Sequence, residues 1–215
     1  MNIREDDLRA YLRGKGFTDA VFNEIKALGR RDDSGRVRLS KLKSGSRFTY
    51  GGIEWVLLRV DYNSVLCIAA DIVTERAFDE GGSNNFKASS IREYLNGELI
   101  QRMIGAGAEG TAFHNVVMNL ETDDGLTDYG YDYTQIGLMS CRMYRTYRKL
   151  IPLASDWWWT CTPWTIAPHT VDSYYVRSVN TDGSLGNNFV DCDNWGVRPL
   201  CNINSEIFVN ALDAL

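Results

Sequence analysis

Few side chains in this chain could carry catalytic chemistry. There are two histidines, His114 and His169, and five cysteines, Cys67, Cys141, Cys161, Cys192 and Cys201. His114 precedes an apolar run, the setting of a structural histidine. His169 sits in the polar segment Ile166-Ala167-Pro168-His169-Thr170, where it reads as a contact residue. No HExxH, GxSxG, Walker or dinucleotide signature occurs. No CxxC pair occurs either. Cys67, inside an apolar run, reads as a buried thiol. Neighbouring strands could bring Cys192 and Cys201 together, although spacing alone does not decide this. Asn187, Asn188, Asp191, Asp193 and Asn194 crowd hard oxygen atoms into one loop, and calcium takes such ligands. Solvated turn carboxylates are the favoured account of the same residues, and Asp123-Asp124 forms a second acidic loop. No catalytic residue, metal or cofactor is assigned, so recognition is the chemistry that remains.

The elements that would position a recognition surface lie within residues 156–204. Apolar runs at 156–160, 174–179 and 197–203 read as strands, separated by Asn, Asp, Ser, Thr, Tyr and Trp. Asn180-Thr181-Asp182-Gly183 predicts a tight hairpin turn, with Gly183 supplying the positive φ. Trp and Tyr give rigid contact area, and Ser, Asn and Asp give adaptable hydrogen bonds. Aromatic strands are also the ordinary material of a core.

Upstream, residues 48–53 and 55–60 predict a hairpin around Gly51-Gly52, and residues 65–70 a third strand. A helix is expected from Ser89 or Ser90 to about Met103, interrupted at some cost by Asn96-Gly97. Residues 112–120 and 136–139 read as strands, and residues 121–133 as a long acidic loop. Residues 140–149 read as a helix capped by Ser140, with Arg142, Arg145, Arg148 and Lys149 forming a solvated basic face. Apolar spacing at Leu8, Tyr11 and Leu12, repeated at Val21, Phe22, Ile25 and Leu28, predicts a helical hairpin. Residues 1–35 are therefore expected as a helical appendage, for docking or for stabilisation, and residues 36–215 as the main domain.

The 215 residues are 44% hydrophobic and 24% charged, enough for a sizeable core without staples. A net charge of −5 argues against general nucleic-acid binding. No run approaches a membrane span and no leader is recognisable, so the expectation is synthesis in the cytoplasm with reduced thiols, and export, if any, on a virion.

Three segments carry a resemblance: Trp157-Trp158-Trp159-Thr160-Cys161-Thr162-Pro163, Val179-Asn180-Thr181-Asp182-Gly183-Ser184-Leu185 and Gly196-Val197-Arg198-Pro199-Leu200-Cys201-Asn202-Ile203. With Gly52-Ile53-Glu54-Trp55-Val56-Leu57 and Ser89-Ser90-Ile91-Arg92-Glu93-Tyr94-Leu95-Asn96-Gly97, they resemble an uncharacterised domain family of gut Firmicutes and their phages. The resemblance spans roughly residues 42 to 208. Cys161 departs from the usual Arg or Ser, and Leu200-Cys201 from the usual Ala-Leu. The closing Gly-Val-Arg pattern is similar to the end of C-type-lectin-like folds, including formylglycine-generating-enzyme relatives and the variable proteins of diversity-generating retroelements.

That resemblance implies an α+β, C-type-lectin-like fold with a twisted antiparallel sheet beside the helical hairpin. It implies one exposed loop face carrying Trp164, Thr165, His169, Asp172, Tyr174, Asn188, Asp191, Asp193, Asn194 and Trp195. Trp157 to Trp159 would be strand core, and Arg198 would be held by neighbours, Asp156 being one suggested partner. The implied function is non-enzymatic binding of a surface protein or glycan, with a diversified C-terminal segment. A structural component of a virion or surface complex, oligomerising through the helical hairpin, is the alternative. A formylglycine-generating-enzyme-like oxidase is a third reading, although Cys192 and Cys201 lack the spacing of that branch's copper-binding pair.

Overall fold

The computed structural model describes residues 5–28, 34–166 and 173–212. Helices α1 (Glu5–Gly14) and α2 (Asp19–Leu28) form the expected hairpin. Leu12 and Phe22 are buried there, outside the continuous core of the remaining chain. Asp19, in the first turn of α2, accepts from Arg13, and the Arg9 guanidinium lies 4.6 Å from the Phe22 ring centre.

The chain then enters β1 (Val37–Arg38), β2 (Arg47–Tyr50), β3 (Ile53–Val60) and β4 (Ser64–Ala69). All of β4 is buried, so a continuous apolar run rather than an alternating one encodes it. After the short β5 (Thr74–Glu75) comes a helical stretch: α3 (Ser90–Tyr94), a π turn (Leu95–Leu99) and α4 (Ile100–Gly105). Ser89 caps α3 by accepting from the Arg92 N–H. Asn96-Gly97 does not merely weaken this helix. The wider π turn aims Asn96 at the next strand region, where its amide donates to the Ile136 carbonyl and accepts from the Ile136 N–H.

Strands β6 (Phe113–His114) and β7 (Val116–Asn119) divide the segment expected as one strand. The segment expected as a loop ends in strand β8 (Tyr131–Thr134), which pairs with β7 as a separate ribbon. Then follow β9 (Ile136–Leu138), α5 (Cys141–Tyr147), β10 (Trp158–Pro163), β11 (Tyr175–Val179), β12 (Leu185–Phe189), β13 (Gly196–Val197), β14 (Pro199–Asn204) and β15 (Phe208–Ala211). Ser140 caps α5 by accepting from the Met143 N–H. β12 is the strand the sequence hid, because Leu-Gly-Asn-Asn-Phe is polar and glycine-containing.

The architecture is mixed helix and sheet, with antiparallel pairing throughout except between β10 and β13. One sheet runs β1-β15-β2-β3-β4-β14-β6, and β9 also pairs with β14. A second runs β12-β11-β10-β13-β5. The chain passes from the second sheet to the first at Arg198, between β13 and β14.

That crossing explains the Gly-Val-Arg-Pro segment. A Cβ on Gly196 would stand 2.3 Å from Ile72 Cδ1 and 2.8 Å from the Trp157 carbonyl, so only glycine lets these backbones approach. Arg198 is fully buried. Its guanidinium donates to the carbonyls of Ala69, Ala70 and Pro152 and lies 4.9 Å from the Trp158 ring centre. Burial lowers its pKa to about 10, with nearby Asp71 and Tyr144 opposing the fall. Its direct partners are these carbonyls rather than Asp156, which accepts from the Trp157 N–H.

The three consecutive tryptophans separate. β10 is buried on both faces, so Trp158 and Trp159 are both core. Trp158 meets Tyr144 edge-on at 5.7 Å, and Trp159 meets Phe78 edge-on and stacks on Trp195 at 4.8 Å. Trp157 precedes the strand and is 46% exposed, contrary to its expected place in the core.

Candidate functional site

The second sheet presents the most densely functionalised surface. Strand alternation puts Tyr175 and Arg177 on one face of β11, and register puts Phe189 and Asn187 of β12 beside them. The Tyr175 and Phe189 rings lie 4.3 Å apart. Trp164, just beyond β10, is half-buried, and the Arg177 guanidinium lies 5.1 Å from its ring centre. β12 is the edge strand of this sheet, and on this face Asn187 and Phe189 are exposed while Tyr175 and Arg177 are partly buried.

Charged groups converge at one end of the face. Asp123 lies 3.6 Å from both Arg145 of α5 and Arg177 of β11. Its own N–H donates to the Pro163 carbonyl, which fixes the acidic loop against β10. A hollow of about 180 Å³ opens here, lined by Glu121, Asp123, Cys141, Arg142, Arg145 and Thr162 among others. Burial pushes the Cys141 thiol above its ordinary range despite contacts to the Thr160 and Thr162 hydroxyls, which favours the protonated form. Next door, Asp124 accepts from Thr122 and from the Thr165 hydroxyl, and these bonds hold its carboxyl below the usual range.

The hairpin that carries the face is clamped from behind. The Gly183 carbonyl accepts from the Tyr144 hydroxyl and from Arg148. Gly183 has φ of 79°, as the turn requires. The basic residues of α5 are thus not a simple solvated face: Arg145 pairs with Asp123 and Arg148 holds the turn.

The ten residues expected on one face do not form one. Trp164 belongs to the surface just described. Asn188 pairs with Val176 and so points to the opposite side of the ribbon. Tyr174 is exposed and packs near Gly82. Asp191 and Asp193 lie with Glu75 and Glu80 around Arg76 in a separate shallow hollow, and Asn194 is exposed.

Two of the ten are buried. Thr165 is enclosed between Asp124 and Asn84, and Trp195 is 6% exposed because Trp159 stacks on it and the tilted Trp157 ring packs beside it. His169 and Asp172 lie outside the described residues.

Tyr175, Arg177, Asn187 and Phe189 were missed, since their common face depends on the unrecognised strand β12. The signal available was the alternation of Tyr175, Arg177 and Val179.

Cys192 lies in the turn after β12, and the neighbours of β14 are β4, β6 and β9, so Cys201 faces Cys67 instead. Among the described residues, no group of three or more His, Cys, Asp or Glu is placed to hold a metal ion, and no helix is long and apolar enough to cross a membrane. A family model described as a domain of unknown function, DUF6273, matches residues 142–205, from α5 through β14. No curated protein sequence and no solved structure matches the chain.

Proposed function

We propose that the protein is a non-enzymatic binding protein for a surface protein or glycan, and that β11 and β12, with Trp164, form its recognition face. The carrying observation is that Trp164, Tyr175 and Phe189 stand partly exposed beside Arg177 and Asn187 on a hairpin clamped at its turn. Aromatic anchors among adaptable polar groups on a rigid support are what recognition needs.

We read the fold as C-type-lectin-like. The reading is supported by β15, which joins both ends of the domain by pairing with β1 and β2, and by the second sheet inserted before the closing strand. A diversified segment, as in the variable proteins of diversity-generating retroelements of phages and gut bacteria, fits exposed positions such as Asn187, Asp191, Asp193 and Asn194, which carry little of the fold.

The test is a binding screen against purified surface glycans and glycoproteins, repeated with Trp164→Ala and Phe189→Ala once each is verified as folded. The reading expects a ligand whose affinity falls about tenfold or more in either variant, the scale of a hot-spot aromatic. Binding that both variants leave unchanged would move the site elsewhere.

A structural or assembly role is the second reading. It is favoured by the β7–β8 ribbon, where Val117, Tyr131 and Tyr133 are exposed on one face. Sedimentation would separate the two: assembly lost in Tyr133→Ser supports it, and a monomer at all concentrations removes self-assembly.

A further inference from the structure

Cys67 and Cys201 are direct register partners on β4 and β14. Directly opposed residues of an antiparallel pair have Cα atoms about 4.5 to 5.5 Å apart and side chains on one face, within the range a disulfide spans. Here both side chains turn toward each other. The sulfurs lie 3.6 Å apart, and both residues are fully buried. The Cys67 thiol also lies 3.6 Å from the Cys201 carbonyl. Closing an S–S bond therefore needs side-chain rotation and a small approach, not a rearrangement of the sheet. Among the described residues Cys141, Cys161 and Cys192 make no sulfur–sulfur contact of this kind; Cys141 lies near Cys161 but contacts a threonine hydroxyl instead.

We propose that Cys67 and Cys201 are a disulfide site, oxidised by a small-molecule disulfide before the closing strand seals against β4. The step balances as thiol–disulfide exchange. One cysteine thiolate attacks the oxidant RSSR, forming a mixed disulfide and releasing one RS⁻. The second cysteine thiolate attacks the protein sulfur of that mixed disulfide, forming the Cys67–Cys201 bond and releasing the other RS⁻. The two protons lost by the cysteines end on the two RSH products. The protein pair loses two electrons and RSSR gains them. Full burial places the exchange in folding or in an opening of β14, because the attacking thiolate must meet the oxidant in water. The bond would join residues 134 positions apart and fix β14 against β4 in the larger sheet.

The experiment is refolding of the full chain from denaturant with oxidised and reduced glutathione, against a fully reduced control. Both samples are then alkylated in denaturant, digested and analysed by mass spectrometry. The expected result is a Cys67–Cys201 linked peptide in most molecules, with Cys141, Cys161 and Cys192 alkylated. The melting temperature should rise by about 10 °C on oxidation, the scale of a long-loop crosslink in a chain of this size. That rise should be absent from a Cys67→Ala/Cys201→Ala double variant. Five alkylated thiols after oxidative refolding, a scrambled mixture of pairs, or a linked form that melts below the reduced one would each overturn the proposal.

Discussion

The β10 centre and the β11–β12 face are built from the same residue types and use them in opposite ways. On β10, Trp158 and Trp159 are enclosed from both sides by Tyr144, Arg198, Phe78 and Trp195. One strand further out, Tyr175 and Phe189 pair with each other at the rim, and Phe189 remains 48% exposed. Aromatic content therefore does not distinguish anchor from scaffold. Position in the sheet does. A central strand covered on two faces makes every side chain structural, whereas an edge ribbon leaves one face for a partner.

The contrast is broken most strongly at Arg198. Arg198→Met keeps an apolar stem under Trp158 but removes every donor to the Ala69, Ala70 and Pro152 carbonyls. Leaving buried carbonyls unpaired costs about 1 to 3 kcal/mol each, so denaturant titration should show a loss of at least about 3 kcal/mol. Trp159→Ala comes next, at about 3 to 5 kcal/mol for a large aromatic removed from a packed core, with less if Trp195 collapses into the space. Asn96→Ala should cost about 1 to 3 kcal/mol, because it removes the acceptor of the Ile136 N–H and leaves the Ile136 carbonyl with the Thr134 hydroxyl as its remaining side-chain donor. Phe189→Ala should cost no more than about 1 kcal/mol, since its ring is half in solvent. Were it to cost as much as Trp159→Ala, the β12 face would be core and the proposed recognition surface would fail.

What the sequence made legible follows the same division. Strongly apolar strands are found nearly in place: β3 and β4 are announced by runs of Val, Leu and Ile, whereas the run at 197–203, expected as one strand, is divided at Arg198 into β13 and β14 of different sheets. Local signals also worked, namely Ser140 as a cap and Gly183 at a turn, since each depends on neighbours a few residues away. The face itself was not legible. β12 is held by register with β11 and has no apolar run of its own. Trp195 and Trp164 look alike in sequence, and only pairing across the second sheet buries one and leaves the other half-open. Asp123 and Arg145 were each visible as a charged loop and a basic helix. Their meeting requires β10 and β11 to be in place.

The smallest effect expected concerns the loop that backs Arg198. Burial would raise the Asp71 pKa, but bonds from the Ser155 and Ile72 N–H groups and the Ser155 hydroxyl, with the charge of Arg198, outweigh it. The folded-state pKa is consequently below the ordinary carboxylate value. A carboxyl depressed on folding contributes stability that is complete above the unfolded pKa, near 4, and is lost as pH falls through the lower folded value. Denaturation between pH 6 and 2 should therefore show the wild type losing more stability than Asp71→Asn over the acid limb, with the two curves parallel above about pH 5. Asp71 is largely solvent-exposed, so the difference should be modest. Parallel curves through the whole range would mean that the loop carrying Ser155 does not depend on the Asp71 charge. Arg198 would then be held by its three carbonyls alone.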